Sequence, residues 1–135
     1  MSLLVAYQGE SGAFSEQAVY RGFGANVTAQ PTQTFHGLFE AVERETVDFA
    51  VVPIENSLAG SIHENYDFLL EFKPQIVGEI ILRVSHCLLA LPGVALSEIK
   101  TVYSHPQALR QCRTFLEDEL NVKTVATYDT AGSAK

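Results

Sequence analysis

The run from Val47 to Ile54 limits the folds open to this chain more than any other segment. It is apolar almost without a break, so a strand built from it has no polar side to turn toward water. Strands of that kind lie inside parallel sheets covered by helices on both faces. The preceding segment fits such a cover. From Thr34 onward, Phe35, Leu38, Phe39 and Val42 recur at helical spacing, with Glu40, Glu43 and Glu45 on the other side.

The rest of the first half alternates in the same way. Leu3 to Tyr7 is a short apolar strand closed by Gly9, and Phe14 to Tyr20 reads as a helix ending near Gly22 and Gly24. Val27 to Ala29 is a weak strand. After Ile54 a helix is expected at once, with Ser61 and Glu64 as its capping box and Ile62, Tyr66, Leu69 and Leu70 as its apolar stripe. The second half opens on strand-like stretches, the β-branched Ile76 to Val84, where Gly78 marks a bend, and its continuation His86 to Leu91. Thr101 to Tyr103 is a strand, Pro106 suits the first position of a helix, and Leu109, Cys112, Phe115 and Leu116 form that helix's inner side. Val122 to Ala126 is one more strand, and Asp129-Thr130-Ala131 looks like a cap and first turn. Strands alternating with helices place the chain in the α/β class.

Composition narrows the function. With 135 residues, 47% of them hydrophobic, the chain can bury a core. A net charge of −7 argues against a nucleic-acid partner. No apolar run approaches the roughly 20 residues needed to span a bilayer. The N-terminus begins directly on a strand pattern, without a basic leader, so the expected compartment is the cytoplasm. Cys87 and Cys112 lie in apolar segments and read as reduced, buried thiols. The four histidines and two cysteines show no metal-ligand spacing, and neither a metal nor a cofactor is expected.

Two polar corners remain. Glu55, Asn56 and Ser57 follow an apolar strand, with Gly60 close behind, where the backbone could approach a ligand. Ser104, His105, Pro106, Gln107 and Gln111 follow another strand, and Gln107 and Gln111 lie one helical turn apart. Open α/β proteins hold ligands outside the carboxyl ends of their strands, and two such corners suggest two lobes with a cleft. The competing reading is ordinary loops, in which Asn56 and Ser57 bond to nearby backbone and Ser104 and His105 cap a helix. Adjacent Ser and His do not make a triad, and there is no nucleophile elbow. Gly9 to Ser15 resembles a phosphate-cradling turn without the lysine of a P-loop; a carboxylate would suit it as well. Amides, hydroxyls and helix N-termini together suit an anionic small molecule and a proton-assisted step.

In order along the chain, these segments resemble prephenate dehydratases. Gly9 to Ser15 is similar to that family's G-x-x-G-[TAS]-[FY]-[ST] motif, and Val52 to Gly60 to its V-P-I-E-N-S-x-x-G signature. Glu79, Leu82, His86 and Leu88 fit its E-x-x-L-x-x-x-H-x-L strand, Tyr103 to Cys112 its Y-S-H-P-Q-A-L-x-Q-C motif, and Asp129 to Lys135 its D-T-A-G-[AS]-A-K segment. The resemblance implies removal of water and carbon dioxide from prephenate to give phenylpyruvate, on the route to phenylalanine. It also implies a two-lobed fold like type 2 periplasmic binding proteins, with lobes over 1–77 and 78–135 and the ligand cleft between them. Asn56, Ser104 and Gln111 match residues implicated in catalysis. Ser11, Gly12, Glu55, Ser57, Gly60, His105, Pro106, Gln107 and Thr130 match the substrate-binding surroundings.

One departure matters. The family's Thr-Arg-Phe motif, whose threonine assists loss of the ring hydroxyl, does not occur here; Arg113 to Phe115 has the wrong order. The chain stops a few residues into a helix start, so a truncated piece is expected, with its second lobe and return segment incomplete and no ACT regulatory domain. Such a piece is expected to turn over poorly. A small-carboxylate-binding module and an inactive fragment are the competing readings. An incomplete lobe leaves apolar surface seeking cover, which allows for a homo-oligomer.

Overall fold

A computed structural model describes residues 2–135. The chain divides into two compact units, Met1–Arg83 and Val84–Lys135.

The first unit is built on β1 (Leu3–Gln8), α1 (Phe14–Phe23), β2 (Val27–Thr32), α2 (Phe35–Glu43) and β3 (Phe49–Val51). The three strands are parallel in the order β2-β1-β3, with Leu3 opposite Val27 and Val5 opposite Phe49. Side chains of a strand alternate between faces. Val5 and Tyr7 therefore meet Val19 of α1, whereas Ala6 meets Leu38 of α2 and Val47. Helices cover opposite faces, and β1 is the buried centre. Local signals set the helix ends. The Thr34 hydroxyl accepts a hydrogen bond from the Gly37 N–H at 3.0 Å to start α2, and Gly24, at φ 81°, closes α1.

The segment after β3 departs from expectation. The strand ends at Val51, and Glu55–Asn56 (β4) pair antiparallel with Gly60–Ser61 (β5) before α3 (His63–Phe72) begins. Gly60 closes this hairpin at φ 84°, a conformation that disfavours any side chain, so its freedom serves the turn. Ser61 is taken by the hairpin, and Ile62 caps α3 without a side-chain bond; there is no capping box. The buried face of α3 is also rotated. Of the expected stripe Ile62 and Leu69 are half-buried but Tyr66 and Leu70 are exposed, while Asn65 is buried and Phe68 and Phe72 pack against Phe39 and His36 of α2.

The second unit holds β6 (Thr101–Ser104), α4 (Pro106–Gln111), a π turn at Phe115–Glu119 and β7 (Lys123–Ala126), with β6 and β7 parallel. Ala108 and Leu116 are buried against it, but Phe115 is exposed. Neither stretch expected as a strand between Ile76 and Leu91 forms one. Burial alternates with period two only in part: Ile80 and Leu82, then His86 and Leu88, are half-buried between exposed neighbours, but Val84 is exposed. A strand also needs a ladder, and among the described residues none pairs with this segment.

Cys87 is consequently exposed, contrary to the expectation of two buried thiols. Cys112 is half-buried, and burial pushes its thiol up from the ordinary value. The thiolate is the reactive form, so an aromatic disulfide reagent at neutral pH should label Cys87 several-fold faster than Cys112. Peptide mass mapping checks the order, and Cys87→Ser should remove the fast phase.

Candidate functional site

In the first unit the order β2-β1-β3, with α1 and α2 on opposite faces, makes β1 and β3 the point where the chain switches direction. Ligands of open α/β sheets bind beyond the carboxyl ends of the strands at such a point. Both first-unit segments singled out in the sequence leave from that edge: Gly9 to Ala13 follows β1, and Glu55 to Gly60 follows β3.

Asn56 forms a turn with its own side chain. Its Oδ1 accepts from the backbone N–H of Leu58 at 2.9 Å and of Ala59 at 3.2 Å. With the oxygen committed to the turn, hydrogen-bond donation falls to the Nδ2 end of the amide. Glu55 and Ser57 are exposed beside it.

The turn after β1 already holds a carboxylate. The Gly12 N–H donates to Glu16 Oε2 at 2.6 Å, and the Ser11 hydroxyl donates to the same carboxylate at 3.3 Å. Glu16 thus occupies the positive end of α1, where acidic groups are stabilised. Beneath it lies Tyr7, fully buried, whose hydroxyl has no partner at ordinary hydrogen-bonding geometry among the described residues, with the Glu16 carboxylate near it. Burial, with the nearby Glu16 charge adding to it, pushes the phenol up to about 12, so Tyr7 stays neutral across the ordinary pH range.

Asn65 fixes the exit from β3. It is fully buried in α3, and its Nδ2 donates to the Pro53 carbonyl at 2.8 Å. Replacing it by Ala orphans that carbonyl and should cost about 2 kcal/mol, the penalty for a buried unsatisfied acceptor. A thermal melt followed by circular dichroism reads this loss, and Asn65→Asp should be at least as damaging because it buries a charge and supplies no donor.

In the second unit Ser104 ends β6, and its carbonyl accepts from the Thr127 N–H just beyond β7 at 2.9 Å. Ser104 and the loop carrying Thr130 therefore share one end of this sheet. Asp129 caps the final turn, its Oδ1 accepting from the Gly132 N–H at 2.7 Å, and the hydroxyls of Thr127 and Ser133 bond to each other. His105 Nδ1 accepts from the Gln107 N–H at 3.2 Å, so the ring caps α4, with Pro106 at its first turn. Gln111, the last residue of α4, pairs through Oε1 with His86 Nε2 at 2.7 Å. Two surface hollows of this unit, one by Leu96 and Leu120 and one by Arg110 and Thr124, contain none of the predicted site residues.

Within each unit, then, the predicted residues gather at the carboxyl end of a parallel sheet, except Gln111 at the far end of α4. Glu16, Asn65 and His86 were not singled out as site residues in the sequence. Among the described residues no three His, Cys, Asp or Glu side chains group in a way that would hold a metal ion, and no helix is long and apolar enough to cross a membrane.

A family model described as prephenate dehydratase matches residues 5–135. The chain is 53% identical over 133 residues to arogenate dehydratase 2 of Petunia hybrida, covering 98% of this chain and 33% of that protein. It is 53% identical over 131 residues to the chloroplastic arogenate dehydratase/prephenate dehydratase 2 of Arabidopsis thaliana, covering 97% and 34%. The crystal structure of prephenate dehydratase from Arthrobacter aurescens in complex with L-Phe superposes with a TM-score of 0.89 at 32% identity, covering 98% of this chain and 45% of that one. The chain thus spans about a third of the length of the curated relatives it matches.

Proposed function

Because the chain belongs to the prephenate dehydratase family, we propose that it forms the substrate-holding part of an enzyme converting prephenate to phenylpyruvate in phenylalanine biosynthesis. Breaking the bond between ring and carboxylate releases carbon dioxide and leaves an electron pair in the ring. That pair expels the ring hydroxyl, which takes up a proton and departs as water, and the ring becomes aromatic. The protein's task is to orient two carboxylates and assist departure of the hydroxyl. Asn56, Ser104 and Gln111 carry that task in this reading, and Ser11, Gly12, Glu55, Ser57, Gly60, His105, Pro106, Gln107 and Thr130 surround them.

The observation that carries the proposal is Asn56 at the switch-point edge of the first sheet, its oxygen tied into the turn by two backbone N–H groups. A neutral donor there favours an anion without a fixed cation. Supplying prephenate and following phenylpyruvate and carbon dioxide tests the reading. Saturable binding with release of both supports it, binding alone supports a non-catalytic carboxylate-binding module, and neither overturns it.

A second substrate has a specific observation in its favour: both plant relatives named above are arogenate dehydratases by name. Arogenate carries an ammonium where prephenate has a ketone, and the same bond changes would give phenylalanine. Competition between the two substrates, with the product identified by mass, assigns the preference.

The two-lobed, periplasmic-binding-protein-like architecture is part of the proposal, supported by the division into two compact units. So is self-association, supported by exposed Ile76, Val77, Ile81, Leu89 and Leu91. Sedimentation over a concentration series tests it. A cytoplasmic location is proposed, the free thiols fitting a reducing compartment; the Arabidopsis relative is named chloroplastic, and fractionation of the source cells decides between the two.

A further inference from the structure

We propose that His86 is a positioning residue that sets which end of the Gln111 amide is presented to a ligand. The pair is half-buried and 25 residues apart in sequence, with His86 Nε2 and Gln111 Oε1 at 2.7 Å. An amide oxygen only accepts, so the imidazole must donate and carries its proton on Nε2. A glutamine amide is nearly symmetric in shape, and its two ends exchange by rotation about the last bond. The imidazole removes that symmetry. With Oε1 held by His86, the N–H donors of Gln111 point to the opposite side, which is the orientation an anionic ligand requires. The reverse orientation would present a carbonyl dipole and repel a carboxylate.

The placement explains why a side chain so far along the chain is needed. Gln111 is the last residue of α4, followed by Cys112 at the C-cap, so the helix itself offers only its own carbonyls at that end. A donor that can orient the glutamine oxygen has to come from another segment, and His86 enters from the stretch preceding β6. This inference rests on the proposed role of Gln111 in holding the substrate, but the hydrogen bond and its tautomer stand apart from that role.

The test uses the full chain, labelled with nitrogen-15. Long-range proton–nitrogen spectra report the His86 tautomer directly, with sequential backbone assignment of the wild-type chain picking out its signals among the four histidines. The expected result is the Nε2–H form, with a Gln111 side-chain amide pair whose shifts move in His86→Phe. An Nδ1–H tautomer overturns the proposal, because the amide would then be reversed. Affinity for prephenate is measured in parallel by calorimetry. His86→Phe should weaken it roughly tenfold, the factor corresponding to loss of one oriented hydrogen bond. His86→Gln, which restores an N–H at similar reach, should recover most of the loss. Gln111→Ala should be about as weak as His86→Phe, and the double variant no weaker. A further loss on adding His86→Phe to Gln111→Ala overturns the proposal, since His86 would then act through another group. If Gln111→Ala leaves affinity unchanged while the wild-type tautomer is as expected, the proposed substrate role of Gln111 fails and the orienting contact does not. The wild-type tautomer is read without any variant, so the outcome does not depend on whether His86→Phe folds.

Discussion

Asn56→Asp is expected to weaken prephenate binding by roughly a hundredfold while leaving the fold as stable as before. The two consequences separate because the side chain has two ends. Its oxygen accepts from Leu58 and Ala59, and an aspartate in the same place accepts the same pair of N–H groups. Its nitrogen end becomes a second carboxylate oxygen, which replaces a donor with a negative charge. Two like charges about 4 Å apart repel by about 4 kcal/mol at an effective dielectric of about 20, and partial exposure to water reduces that to about 3 kcal/mol. Asn56→Ala inverts the pattern. It loses the turn, at about 1 kcal/mol of stability, and one neutral donor, at roughly tenfold in affinity. Stability should therefore rank Asp level with Asn and above Ala, and affinity should rank Asn above Ala above Asp. Calorimetric titration and thermal melts of the three proteins read both orders. If the Asp variant binds like the parent, Asn56 is only a turn residue, and the first unit has lost its part in the proposed site.

The same contrast between local and distant contacts explains what the sequence revealed. β1, α1, α2, β6 and β7 were readable because their periodicity or their end signals are local: the hydroxyl of Thr34, the positive φ of Gly24, the ring of Pro106. The β4–β5 hairpin was not, since strands of two residues are too short to show a period, and Val52 to Ile54 looked like more of β3. For α3 the choice of Tyr66 and Leu70 followed hydrophobicity alone. The real face, Asn65 with Phe68 and Phe72, is set by α2, and the fully buried polar member is the one a hydrophobic pattern rejects. Among the site residues, Asn65 and His86 act on Pro53 and Gln111, 12 and 25 positions away, and no spacing rule links them. Glu16 is different. An acidic residue in the first turn of a helix that follows Ser and Gly is a local signal, and it identifies the anion at the start of α1.

The rotated face of α3 gives the other large expected effect, a comparison of two leucines that hydrophobicity treats alike. Leu38 on α2 is 0% exposed and packs with Ala6 of β1 and Val47, whereas Leu70 on α3 is 74% exposed. Truncating Leu38 to Ala removes buried apolar area and leaves a cavity beside a strand that is itself fully buried at Val5, Ala6 and Tyr7. That strand is hydrogen-bonded on both edges, so the gap cannot close by sliding it, and the expected loss is about 3 kcal/mol. For a chain of this size such a loss lowers the melting temperature by roughly 10 °C. Leu70→Ala removes a side chain already in water and replaces it with a slightly better helix former, so its effect should stay within about 0.5 kcal/mol. Urea titrations of both variants measure the difference, with the slope unchanged if only packing is lost. Ligand affinity, extrapolated to the folded fraction, should be unchanged in both, because neither leucine lies at the carboxyl edge of the sheet. A Leu70→Ala variant as damaged as Leu38→Ala would mean that α3 buries the Tyr66–Leu70 side after all. The anchoring of Pro53 by Asn65 would fail with it, because both depend on the same rotation of that helix.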